Sequence, residues 1–141
     1  MRLNFPLLLL ALAAFALAAF LAFAKPYVKD AYLTFVPPDM GMVLFTFVNP
    51  SPRPVCIVEV SVGGRPAELH KTEFNGTHAA MVPVDRVCAG PFSTLQFTTL
   101  GYHVMFYGNA SRVADVVLRL DDGSAISFVA EFREAGGVHV H

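Results

Sequence analysis

Charge of one sign is scarce in this chain. Ten Lys and Arg stand against eleven Asp and Glu, a formal net charge of −1. The basic residues are scattered without aromatic interleaving, so a protein that grips nucleic acid through its charge is excluded. Enzyme signatures are missing too: there is no Gly-x-Ser-x-Gly elbow, no His-Glu-x-x-His, no Gly-rich phosphate loop and no Cys-x-x-Cys, and no enzymatic activity is expected. The carboxylate pair Asp121-Asp122 is accounted for by the turn it precedes. Beyond Ala24 there are no repeats or low-complexity tracts, and no stretch of ten or more residues has a helical period that lacks a strand reading. The length, 141 residues, is that of one domain.

Apolar residues are abundant instead, at 55%, more than a water-soluble domain needs. The surplus is N-terminal: all but Arg2, Asn4 and Pro6 of the first 24 residues are apolar. The uncharged run from Leu3 to Ala24 ends in Ala22-Phe23-Ala24, the small-x-small pattern of a signal-peptidase site, just before Lys25. Residues 1–24 are therefore an export segment, either a cleaved leader or a retained membrane anchor, since the run approaches the roughly 20 residues that span a bilayer. In an exported domain the two cysteines, Cys56 and Cys88, form either a disulfide or two separate buried thiols. Two sequons, Asn75-Gly76-Thr77 and Asn109-Ala110-Ser111, permit glycosylation where the host performs it.

The exported part, residues 25–135, reads as all-β. Runs rich in Val, Phe, Tyr, Ile and Thr recur over Tyr27–Val36, Met42–Asn49, Val55–Val62, Ala67–Phe74, His78–Val84, Ser93–Leu100, Tyr102–Tyr107, Val113–Leu120 and Ser124–Arg133, punctuated by Pro, Gly, Asn and Asp. Asn75-Gly76 and Asp122-Gly123 predict hairpins with two-residue type I′ turns. Nine short strands imply a cupredoxin-like or immunoglobulin-like Greek-key sandwich or a small barrel.

Chemistry concentrates in the histidines and methionines. His70, Met81, His103 and Met105 have the spacing His-x10-Met-x21-His-x-Met. Soft thioether sulfur with imidazole favours Cu(I) over Ca²⁺, Mg²⁺ and Zn²⁺. Methionine has no proton to lose and forms no disulfide, which suits an exported site. His103 and Met105, at i and i+2 on one strand, share a face; His70 and Met81 flank the Asn75-Gly76 turn almost symmetrically and approach each other across that hairpin. His78 matches no position of the pattern and is expected to be solvated. Met40 and Met42 flank Gly41, with Met42 expected in strand packing and Met40 exposed in a loop.

With its flanks Ala67-Glu68-Leu69-His70-Lys71-Thr72, Met81-Val82-Pro83-Val84 and Gly101-Tyr102-His103-Val104-Met105-Phe106, the pattern resembles that of the PCu(A)C family of exported copper chaperones, a resemblance extending over residues 27–133. It implies a Cu(I) site at His70, Met81, His103 and Met105, a periplasmic or other extracytoplasmic location, and delivery toward the CuA centre of a terminal oxidase, to an oxidase subunit directly or through another metallochaperone. Some members carry a metal-binding tail. Here residues 136–141 contain His139 and His141, either a weak second site for Cu(II) or a silent tail. Two other readings remain open, an electron-transfer cupredoxin and a non-metal immunoglobulin-like binding or adhesion module. Residues 3–24 leave membrane association open as well.

Overall fold

The computed structural model describes residues 4–108 and 111–134, with the side chains of the N-terminal helix described as far as Ala19. That helix, α1 (Phe5–Phe23), is followed by ten strands: β1 (Tyr27–Val36), β2 (Met40–Asn49), β3 (Val55–Val62), β4 (Arg65–Asn75), β5 (His78–Pro83), β6 (Val87–Ala89), β7 (Ser93–Gln96), β8 (Tyr102–Tyr107), β9 (Val113–Leu120) and β10 (Ala125–Phe132). The fold is all-β behind one helix. Of the sandwich and the small barrel, the chain takes the barrel: the strand order is β5-β4-β8-β2-β1-β10-β9-β3-β6, and an added pairing of β3 with β4 closes seven strands into a ring. β5 and β6 lie outside the ring, and β7 pairs with β2. Among the described strands only β1 and β10 pair in parallel.

α1 has neither acidic residues in its first turn nor basic residues in its last, and Phe5, Leu7, Leu10 and Phe15 are exposed. A helix apolar on every side has no polar face to turn to water and no single stripe to bury against a barrel. Among the described residues no helix is long and apolar enough to cross a membrane.

The alternation of the strands fills the barrel. Leu33, Val43, Phe45, Phe47, Ile57 and Val116 are among the residues of its main core, and Phe45 stacks on Phe97 at 4.2 Å between ring centroids. β2 is buried on both faces: Val43, Phe45 and Phe47 face the barrel interior, while Met42 and Leu44 join Met105 in a second, separate cluster. At the end of β2, fully buried Asn49 donates from Nδ2 to the carbonyls of Arg53 and Gly90 at 2.8 and 2.9 Å and accepts from the Ser51 hydroxyl at 2.7 Å. One side chain thereby satisfies the turn that carries the chain from β2 to β3.

Three sequence expectations change. β6 was missed, because three residues between Arg86 and Gly90 are too short to show a period. The run from Ser93 ends as a strand at Gln96 instead of continuing to Leu100, since Thr98 to Gly101 reverse the chain into β8, with the Gly101 amide donating to the Thr98 carbonyl at 3.2 Å. Both hairpins exist, but neither turn is type I′. Asn75 pairs with His78, so Gly76 and Thr77 are the central residues; only Gly76 has positive φ, 64°, and the Thr77 amide donates to the Asn75 carbonyl at 2.7 Å, a γ-turn centred on Gly76. In the second, the Gly123 amide donates to the Leu120 carbonyl at 3.0 Å and Gly123 follows at φ 89°. That is a three-residue loop, a type I turn closed by a left-handed glycine. The hydroxyl and amide of Ser124 donate to Asp122 and hold its carboxyl below the usual range.

Cys56 and Cys88 face each other across β3 and β6 and are joined by a disulfide. With a sequence separation of 32 between them, the link removes loop entropy from the unfolded chain corresponding to about 4 kcal/mol. It also ties β6, the shortest strand, to the ring.

Candidate metal site

Strand register decides which side chains share a surface. Leu69 and Val104 are paired across β4 and β8 and both belong to the barrel core, so the residues on either side of them point outward. That puts His70, paired with His103, and Glu68, paired with Met105, on the outer face. Across β4 and β5, Thr72 pairs with Met81 and His70 with Pro83, and cross-strand partners point to the same side. The four residues picked from sequence thus lie on one face of three neighbouring strands. Met81 stands one diagonal step from His70 instead of directly opposite, because the centre of the hairpin falls between Gly76 and Thr77.

Burial separates the four. His103 is fully buried, His70 and Met105 nearly so, and Met81, on the edge strand β5, is 44% exposed. The imidazoles of His70 and His103 lie 5.8 Å apart between centroids, tilted by 45°. Each has one nitrogen engaged. Nδ1 of His103 donates to the Gly101 carbonyl at 3.0 Å, and Nε2 of His70 donates to the Glu68 carboxylate at 2.7 Å. The other nitrogens, Nε2 of His103 and Nδ1 of His70, are buried without a hydrogen-bond partner. A buried polar atom left unpaired costs about 1–3 kcal/mol, and here two of them sit on paired positions of adjacent strands. In the neutral ring each is an imine nitrogen with a free lone pair, the form that binds a soft or borderline cation. Among the described residues no three or more His, Cys, Asp or Glu side chains are grouped to hold a metal.

No sequence-family model and no curated protein sequence matches this chain. Solved structures do. The copper-bound PCuAC domain from PmoF2 superposes with a TM-score of 0.62 at 18% identity, over 79% of this chain and 94% of that one. The apo PmoF2 PCuAC domain gives 0.62 at 16%, over 83% and 96%, and the apo PCuAC domain from PmoF1 gives 0.61 at 15%, over 79% and 95%. The fold is PCuAC-like. At such identities the likeness concerns the backbone, and the PCuAC-like barrel of this chain has to be judged by its own side chains.

On that barrel the remaining sequence candidates fall as follows. His78, at the tip of the β4–β5 hairpin, is exposed. Met42 is buried in β2, and its strand position places it opposite Met105. Met40, expected to be exposed in a loop, is instead the first residue of β2 and partly buried in the same cluster. His139 and His141 of the tail, and Asn109 of the second sequon, lie outside the described residues. Glu68, which holds His70, was not singled out from sequence. Its position two residues before a histidine on a strand was the available signal, since i and i+2 share a face.

Burial holds the pKa of His103 below its ordinary 6.5, opposed by the hydrogen bond to Gly101 and assisted by the nearby His70. As pH falls below 6.5, the unfolded chain therefore takes up a proton before folded His103 does. The stability contributed by His103 is complete above 6.5 and is lost as the pH falls through its lower folded value. Urea midpoints of the metal-free protein are expected to drop between about pH 7.5 and about pH 5, and a His103→Gln variant is expected to drop less.

Proposed function

We propose that this protein is an exported carrier of Cu(I) that holds the ion at His70, Met81, His103 and Met105 and passes it to a copper-accepting protein. The observation that carries this reading is the pair of buried, unpartnered imidazole nitrogens on paired positions of β4 and β8. Copper is cargo here, not a structural ion: the barrel has its own hydrophobic core and a disulfide, and removal of the metal leaves the fold in place. Neutral donors suit transfer, because no thiolate has to be reprotonated or left bare when the ion departs. Three donors are buried and Met81 is exposed on an edge strand, so Met81 is the ligand an incoming donor displaces first.

Export is supported by the uncharged apolar segment through Ala24 and by the disulfide, which belongs to oxidising compartments. Whether the segment is cut after Ala24 or kept as an anchor, the barrel works on the extracytoplasmic side. The resemblance to PCu(A)C chaperones points to the CuA centre of a terminal oxidase as destination, reached directly or through another metallochaperone. An electron-transfer site is disfavoured, since its ligand set requires a thiolate and neither cysteine is free.

Loading the protein with copper under mild reductant is expected to give one tightly held Cu(I), with nitrogen and sulfur in the first shell by X-ray absorption. A second, weaker ion taken up on separate loading with Cu(II), without reductant, would report on His139 and His141. A first shell of oxygen alone, or an intense blue colour on loading with Cu(II), would remove the carrier reading.

A further inference from the structure

We propose that Glu68 is a positioning residue that sets which nitrogen His70 presents to the metal, and that its carboxylate supplies the negative charge missing from an otherwise neutral ligand set. The second half of this rests on the copper reading above; the first half does not.

The geometry is specific. Glu68 and His70 are two residues apart on β4 and share its outer face, and the carboxylate Oε2 lies 2.7 Å from Nε2 of His70. The β4–β8 register places Glu68 opposite Met105 and His70 opposite His103, so the carboxylate belongs to the same block of four side chains as three of the ligands. An exposed Glu–His contact by itself would mean little, and the Glu68 side chain is 54% exposed. The consequence on the other side of the ring is what gives it meaning. With the proton held on Nε2, Nδ1 of His70 keeps its lone pair and is buried without a partner. His103 is fixed in the opposite tautomer by the main-chain carbonyl of Gly101, with Nε2 free. The two imidazoles thus offer different nitrogens, Nδ1 from His70 and Nε2 from His103. One is oriented by the backbone and the other by a side chain.

Charge gives the second reason. Two neutral imidazoles and two thioethers add no charge, so a monovalent cation among them brings an uncompensated positive charge to a place where three of the four donors are buried. A charge taken from water without a counter-charge is costly. A carboxylate hydrogen-bonded to the far nitrogen of a metal-bound imidazole both offsets that charge and makes the imidazole a stronger donor.

The test compares wild type, Glu68→Gln and Glu68→Leu in the full chain. Long-range ¹H–¹⁵N correlation in the metal-free protein reads the tautomer of each histidine. His70 is expected as Nε2–H in wild type and in the Gln variant, whose side-chain oxygen still accepts, and as a tautomer mixture in the Leu variant. His103 is expected as Nδ1–H in all three. Competition with a chromogenic Cu(I) chelator is expected to show a loss of about 10- to 100-fold for Leu and a smaller loss for Gln. A Leu variant with His70 still fixed as Nε2–H and with wild-type affinity would overturn the proposal, as would Nδ1–H at His70 in wild type. If wild type binds no copper, the carrier reading falls, while the tautomers of the metal-free protein still decide whether Glu68 orients His70.

Discussion

Cu(I) affinity is expected to fall by about 100-fold when His103 is replaced by glutamine, and by less when Met81 is replaced by leucine. Four-ligand metal sites in small domains bind with roughly 10–16 kcal/mol, or about 3 kcal/mol for each donor, which is about two orders of magnitude in affinity. His103 should lose the full amount. It is completely buried and its ring is held by the Gly101 carbonyl, so solvent does not reach the place of the missing nitrogen. Met81 is exposed on the edge strand, where a water or a small solute can occupy the vacated position, so its loss is partly compensated. Met105→Leu should fall between these two, because its sulfur is buried but leucine fills nearly the same space. The leucine exchanges conserve volume and cost less than about 1.5 kcal/mol in stability, so a change in copper affinity will not be a change in folding. Chelator competition under mild reductant measures all three. Unchanged affinity in the Met81→Leu, Met105→Leu double variant would show that sulfur does not hold the ion.

The order of these effects carries functional meaning beyond the ligand list. A carrier must bind tightly and also release, and a ring of four equally buried donors would bind without releasing. In the proposed carrier, one thioether at a sheet edge would make the first step of release a local exchange that needs no movement of the barrel. The Met81→Leu variant should accordingly give up copper to a competing chelator at a rate less dependent on chelator concentration, since the displacement step is already done.

How much of this was legible in the sequence depends on the period of the signal. Alternation over eight or more residues, as in Ala125–Phe132 and Val113–Leu120, located whole strands with nearly correct ends. Val87–Ala89 offered three residues and no period, so β6 was invisible. The dipeptides Asn75-Gly76 and Asp122-Gly123 announced two hairpins but not their turn types, because a glycine at positive φ serves γ-turns and glycine-closed three-residue loops as well as type I′. The barrel closure, a pairing of β3 with β4, is a long-range choice that local pattern does not encode. For the site, spacing named His70, Met81, His103 and Met105, and strand periodicity correctly gave His103 and Met105 one face. Burial was not legible: nothing in the string indicates that His103 is enclosed and Met81 open, because that depends on which strand ends at the edge. Glu68 escaped for a related reason, since its exposed carboxylate looks like any solvated charge until the register brings its neighbours together.

Gly41→Ala is expected to be the most damaging single-methyl change in the barrel, costing about 3 kcal/mol, the upper part of the overpacking range. Gly41 pairs with Phe106 across β2 and β8, and the Phe106 ring lies directly over it. A Cβ at position 41 would fall 2.2 Å from Cζ of that ring and 2.6 and 2.7 Å from the two Cε atoms. An exposed ring could swing aside, but Phe106 is buried in the main core, so the ring can move only by displacing its neighbours. The backbone gives no other reason for glycine here, as Gly41 is not among the residues with positive φ; the requirement is space. A glycine in a strand that accepts the ring of a cross-strand aromatic is a packing device, and it sits between Met40 and Met42, one residue from the pair Met42 and Met105. Denaturation of Gly41→Ala should show the loss of stability, and the loss should be much smaller in a Phe106→Leu background, where the ring is gone. Copper affinity should fall together with stability in Gly41→Ala, because the β2–β8 register that Phe106 holds also positions Met105. If instead Gly41→Ala is as stable as wild type, the ring over Gly41 does not set the packing of these strands, and the placement of Met105 has to come from β4 alone.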